Sequence, residues 1–162
     1  MSRLVMHFRN PPENATLVAP PEALAYMDVR GISIAAPMTP LEAWQRVMAR
    51  PLPGLGLAFR IRDAISSLFG VKKIGGFIGD TPTDPMVGDK MDFFLVEDIC
   101  PERLVLTERD KHLDVMTCIT TSGGVLAITS SVKTHNLFGR LYMLPVGIAH
   151  KVIVGAMLRR MV

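Results

Sequence analysis

From Met91 to His135 the apolar residues recur with a period of two, broken only by short turn signals, and no other feature constrains the chain as much. The segments MDFFLVEDI, RLVLTERD, HLDVMTCITT and GVLAITSSVKTH follow one another closely, which is the pattern of an antiparallel meander. Their sharpest turn is TSGG, ending in Gly123 and Gly124. A two-residue Gly-Gly turn of the primed type sets Ser122 opposite Val125. Counting outward then pairs Leu113 with Thr134, Val115 with Val132, Thr117 with Ser130 and Ile119 with Ile128 on one face. The other face pairs His112 with His135, Asp114 with Lys133, Met116 with Ser131 and Cys118 with Thr129. Any even loop length preserves this division, because side chains alternate between faces.

Burying the first face is favourable by about 25 cal/mol per Å² of apolar area, so it needs a cover. The candidate is PVGIAHKVIVGAMLRRM, with Pro145 at a helix start and basic residues in its last turn. Val146, His150, Ile153, Met157 and Met161 follow one helical stripe, with Lys151, Gly155 and Arg159 opposite, so His150 points toward the sheet. Upstream, ALAYMDVRGISI reads as a first strand. TPLEAWQRVMARP then opens a helix with a capping box of Thr39 and Glu42, and Leu41, Trp44, Val47 and Met48 share its face. In LAFRIRDAISSLFG a second helix is marked by Ala58, Ile61, Ile65 and Leu68 at helical spacing, with Gly70 as its cap. VKKIGGFI reads as a strand and GDTPTDPMVGDK as a long loop. GRLYML reads as the last strand, with Leu141 and Met143 on the apolar side and Arg140 and Tyr142 beside Lys133 and His135.

The expected fold class is therefore α+β: a curved antiparallel sheet of about seven strands around a long C-terminal helix, with two short helices after strand one. A chain of 162 residues suits one core. Residues 1–21, rich in paired prolines, are expected to be poorly ordered or to pack as an extended arm, with the domain spanning residues 22–162.

Eighteen basic and fifteen acidic residues, scattered along the chain, argue against a nucleic-acid partner. The start of the chain lacks the plan of a secretory signal. The apolar stretch Leu141–Leu158 is interrupted by Pro145, His150 and Lys151, so no membrane partner is expected and the protein reads as soluble and cytoplasmic. Cys100 and Cys118 have neither disulfide nor zinc spacing, and Asp80, Asp84, Asp89 and Asp92 lack the spacing of a calcium loop. GLGLAF lacks the third glycine and the preceding strand of a dinucleotide site. No metal or cofactor is implied.

Two groups of residues remain. His112, Asp114, Lys133, His135, Arg140 and Tyr142 form either an outer solvated surface, with an Asp114–Lys133 pair contributing at most about 1 kcal/mol, or a functional polar patch. On the opposite side His150, Thr117 and Ser130 are the few polar groups of a mostly apolar space that Trp44, Ile153 and Met157 would line. The alternative is a core histidine with one satisfied hydrogen bond. Eleven methionines suit an adaptable cavity as well as plain core filling.

The order of elements resembles the helix-grip, or START-like, fold. More specifically, LAFRIRDAISSLFGV, DKHLDV, TSSVKTHNLFGRLYM and the His150 of PVGIAHKVIV resemble the family called domain of unknown function 2867, from about Tyr26 to the C-terminus. The family has no settled activity. Related domains look like accessories of nicotinamide-dependent short-chain reductases, and helix-grip relatives generally hold apolar or amphipathic small molecules between helix and sheet. The resemblance implies a binding domain for such a ligand. Two alternatives stand beside it: an enzyme of cyclase, hydrolase or isomerase type with His150 or the pair His112 and Asp114 as acid and base, and an interaction or accessory domain, with a second copy of the chain as a candidate partner.

Overall fold

The computed structural model describes residues 4–70, 73–77 and 79–161. Ten elements follow in chain order: β1 (Met6–His7), β2 (Tyr26–Ser33), α1 (Pro40–Met48), α2 (Leu55–Leu68), β3 (Lys90–Met91), β4 (Phe94–Cys100), β5 (Arg103–Arg109), β6 (Leu113–Ser122), β7 (Val125–Thr134) and α3 (Leu137–Arg160). A single 3-10 turn at Pro21–Ala23 precedes β2. The strands form one antiparallel sheet in the order β1-β2-β7-β6-β5-β4-β3.

The β6–β7 register is the one counted from the sequence, from Leu113 opposite Thr134 to Ser122 opposite Val125. Gly123 and Gly124 have φ of 57° and 74°, the two left-handed positions a type I′ turn requires. Parity follows. Leu104, Leu106, Ile119, Leu126 and Ile128 gather on one face against Val154 and Leu158 of α3 and Ala43 and Trp44 of α1. Val105, Met116 and Cys118 lie on the other face, beneath Ala15 and Val18.

The proline-rich arm is thus an integral layer. Met6 and His7 pair with Gly31 and Arg30 of β2. The Thr16 N–H donates to Cys118 Sγ at 3.4 Å and the Val18 N–H to Ser131 Oγ at 3.0 Å. The prolines deny the arm a ladder of its own, and side chains of the sheet take up its N–H groups instead.

Three sequence expectations are corrected. Residues 73–77 of VKKIGGFI are not a strand: Gly75 and Gly76 have φ of 69° and 80°, and the Ile74 and Gly75 N–H groups donate to the Asp63 carboxylate. Val71, Lys72 and Ile78 lie outside the described residues. MDFF is broken by Asp92 at φ 54°, whose carboxylate accepts from the Gly79 and Asp80 N–H groups. GRLYML is helical, because Asn136 caps α3 by accepting from the Gly139 N–H at 3.0 Å, so Pro145 lies inside the helix and does not begin it. The sheet still has seven strands, with β1 and β3 in place of the two that fail.

Helix α2 forms where its spacing predicts, with its apolar stripe facing outward. Ile61, Ile65 and Leu68 are 53%, 52% and 81% exposed, whereas Ser66 is fully buried. Phe59 packs on Phe77 and Phe93, and Arg62 Nε donates to the Tyr142 hydroxyl at 2.7 Å. Those contacts fix the inward face and leave the aliphatic one exposed.

Gly31 sits where β2 meets both β7 and the arm, and a Cβ there would stand 2.7 Å from the Leu126 carbonyl oxygen and 2.9 Å from the Phe8 ring. Gly31→Ala is expected to cost about 1–3 kcal/mol through this overpacking, measured by urea unfolding. Proteolysis within residues 4–20 should quicken with it.

Candidate functional site

Polar side chains at alternate positions of β2 come together beneath α3. Tyr26, Asp28 and Arg30 stand opposite Val132, Ser130 and Ile128 in the β2–β7 register, so all three point to the helix side. The Asp28 side chain is 2% exposed, and Arg30 Nε donates to its Oδ2 at 2.7 Å. A buried carboxylate without a partner would carry a heavy desolvation cost, and Arg30 offsets it at one oxygen only. His7 Nε2 lies 3.3 Å from Asp28 Oδ1, but not in hydrogen-bonding geometry. Among the described residues that buried oxygen therefore has no hydrogen-bond donor.

One turn along the helix, the Tyr26 hydroxyl lies 3.3 Å from His150 Nδ1 and 3.4 Å from the Gly147 carbonyl. The phenol has one proton to give. The arrangement that satisfies every group has His150 Nδ1–H donating to the Tyr26 oxygen, whose own proton goes to Gly147. Gly147 makes this approach feasible, since a Cβ there would stand 3.1 Å from the Tyr26 ring. The two rings meet edge to face at 5.8 Å, and Lys151 Nζ lies 5.7 Å from the tyrosine centroid. Burial holds the His150 pKa below its ordinary value; Arg30 acts in the same direction and Asp28 opposes it. Burial, reinforced by the Asp28 charge, raises the Tyr26 pKa. Near neutrality the pair is thus an uncharged imidazole beside an un-ionised phenol, able to orient a ligand or to relay a proton.

The sequence-derived residues divide. Thr117 and Ser130 face each other, both buried, and Ser130 is also the register partner of Asp28, so these hydroxyls and His150 do share the helix side of the sheet. Trp44 packs between Phe77 and Phe94 at ring distances of 5.7 and 5.8 Å, which makes it core. Ile153 is half-buried. Met157 lines a surface hollow of about 400 Å³ with Arg46, Val47, Ala49, Arg50, Arg160 and Met161. A second hollow, about 280 Å³, lies between Phe8, Pro11 and Pro12 of the arm and Thr120, Val125 and Ala127 of the sheet. Neither is the mostly apolar space expected between the helix and the sheet, where Met143, Val154 and Leu158 of α3 are buried.

The polar group separates in two. Asp114 lies 3.3 Å from Arg109 and 3.1 Å from His135, while Arg109 also holds Glu97 at 2.9 Å. Lys133 is the register partner of Asp114, yet the Asp114 carboxylate lies against Arg109 and His135. His112 Nδ1 lies 2.9 Å from Asn136 Nδ2, and its ring packs on Phe138. Arg140 and Tyr142 belong to α3, with Arg140 exposed and Tyr142 bonded to Arg62, so neither joins Lys133 on the sheet. Among the described residues no group of three or more His, Cys, Asp and Glu is placed to hold a metal ion.

The family model described as a protein of unknown function (DUF2867) matches residues 21–157. No curated protein and no solved structure matches the chain.

The His150 environment fixes a pH dependence. Above the ordinary histidine value of 6.5 the residue is neutral both folded and unfolded. Below it the unfolded chain takes up a proton that the folded site resists, so stability falls as pH falls toward the depressed folded value. His150→Phe should lose less stability than wild type between pH of about 7.5 and about 5.5 in urea titrations, because the remaining groups contribute equally to both proteins.

Proposed function

The chain belongs to the DUF2867 family, a membership that carries no activity, and from that premise we propose a binding module for a small amphipathic molecule whose polar end enters at the seam of α3 and β2. The observation that carries this reading is Asp28 Oδ1, buried and without a hydrogen-bond donor among the described residues. Buried polar atoms are nearly always satisfied, and a ligand hydroxyl or amine would supply what this one lacks. His7, whose side chain is 67% exposed, is a cover that such a group displaces. Tyr26, Ser130, Thr117 and His150 then orient the head, while the apolar body lies along Val146 and Ile153. The resemblance to helix-grip proteins supports a ligand held between helix and sheet, although by analogy alone.

Ligand-observed NMR against fatty alcohols, fatty amines, fatty acids, sterols and polyketide-like aromatics tests the reading. Saturable binding is expected from the hydroxyl and amine classes, weakened at least tenfold in Asp28→Asn with the melting temperature held within a few degrees. Absence of saturable binding in every class, or binding indifferent to Asp28→Asn, rejects it.

A second reading, an enzyme of isomerase, hydrolase or cyclase type, rests on the neutral His150 touching the Tyr26 hydroxyl. Turnover of a bound ligand that is abolished in Tyr26→Phe while binding persists would support it, and unchanged turnover would dismiss it.

A further inference from the structure

Two helices turn aliphatic faces to solvent, side by side. On α3, Leu137, Leu141, Leu144, Ile148 and Val152 are 57–70% exposed at intervals of three and four residues, one continuous stripe. On α2 the stripe is Leu57, Ile61, Ile65 and Leu68, continued by Phe69. The helices run antiparallel, since Phe69 packs on Phe138 at 5.0 Å while Arg62, nearly two turns back along α2, reaches Tyr142, one turn on along α3. Together the stripes present ten large apolar side chains, each more than half exposed, whereas the largest apolar patch of an ordinary monomer covers roughly 300–600 Å².

Charge decides what fits this face. Helix α3 carries Arg140, Lys151, Arg159 and Arg160 and no acidic residue, in a chain whose basic excess is only three. On α2 the acidic residue is Asp63, engaged by Arg62 at 2.8 Å. A second copy related by a two-fold axis would bring basic helix against basic helix with no carboxylate on α3 to receive it. An anionic lipid surface supplies both the missing negative charge and an apolar layer of the depth a helix face needs.

We propose that the outward faces of α2 and α3 form a docking surface for an anionic membrane, with Leu141, Leu144, Ile148 and Ile65 entering the acyl boundary and Arg60, Arg140 and Lys151 at the headgroups. Helix α3 is long and apolar enough to cross a bilayer by composition, but its inner face is committed to the sheet through Met143, Val154 and Leu158. The helix therefore lies on the membrane and does not span it. Pro145, His150 and Lys151, which interrupt the apolar stretch and argue against a spanning helix, are compatible with a helix lying at the surface.

Co-sedimentation of the full chain with extruded vesicles tests the proposal, comparing phosphatidylcholine alone with phosphatidylcholine containing about one third phosphatidylglycerol. Binding is expected to the anionic vesicles, with at least tenfold less to the neutral ones, and to fall several-fold on raising salt. The exposed pair Ile65→Glu and Ile148→Glu should fold with an unchanged melting temperature and lose at least tenfold in binding, as should Arg140→Glu with Lys151→Glu. Wild type remaining in the supernatant with anionic vesicles, or binding indifferent to the Ile148→Glu pair, overturns the proposal. So does a tight dimer by light scattering that the same pair dissociates, since the face would then belong to a second copy.

Discussion

The β6–β7 register is the constraint on which everything else depends. Two glycines at positive φ force a tight turn, and the turn fixes which side chains of two ten-residue strands share a face. A slip of one residue would carry Leu126, Ile128 and Val132 to the far side and present Thr129, Ser131 and Lys133 to the helix. Because β2 pairs with β7 along eight residues, the same turn also decides that Tyr26, Asp28 and Arg30 lie beneath α3. The candidate site is a consequence of sheet register before it is a matter of helix packing.

Helix α3 reconciles two demands. It must cover an apolar sheet with Met143, Val154 and Leu158, and it must come close to β2, where polar groups await it. Glycines at the close contacts allow this. Gly139 leaves room for the His112 carbonyl, which a Cβ would meet, and Gly147 receives the Tyr26 ring. Close approach expels water from Asp28 and His150, and that loss of water displaces the histidine from its ordinary titration range. Packing and acid–base behaviour at this seam therefore have one origin.

Local signals in the sequence were legible where chain neighbours settle the structure. The Gly-Gly turn, the Thr39–Glu42 capping box and the meander through Thr134 each depend on contacts within a few residues, and each is present. The misreadings share a different cause. GRLYML alternates like a strand, but a short alternation cannot compete with an Asn136 cap followed by 24 residues able to form helix. The aliphatic spacing of α2 marks a helix correctly and says nothing of which side is inward; distant aromatics Phe77 and Phe93 decide that. Tyr26, Asp28 and Arg30 escaped notice as site residues because their partner strand lies about a hundred residues away, so alternation alone reads as a solvated face. Their signal was nonetheless present, as three polar residues two apart on a strand whose remaining positions include Val29 and Ile32.

Both margins of the sheet end in strands of only two residues, Met6–His7 and Lys90–Met91. Unpaired backbone at a sheet edge is a template on which another chain can add, and its danger grows with its length. Here Met6–His7 pairs with Gly31 and Arg30 inside the eight-residue β2, and Lys90–Met91 with Leu95 and Phe94 at one end of the seven-residue β4, so neither strand offers its whole length as an uninterrupted edge. On the β2 margin the arm thereby acts as a selvage, breaking the border that another chain would otherwise extend.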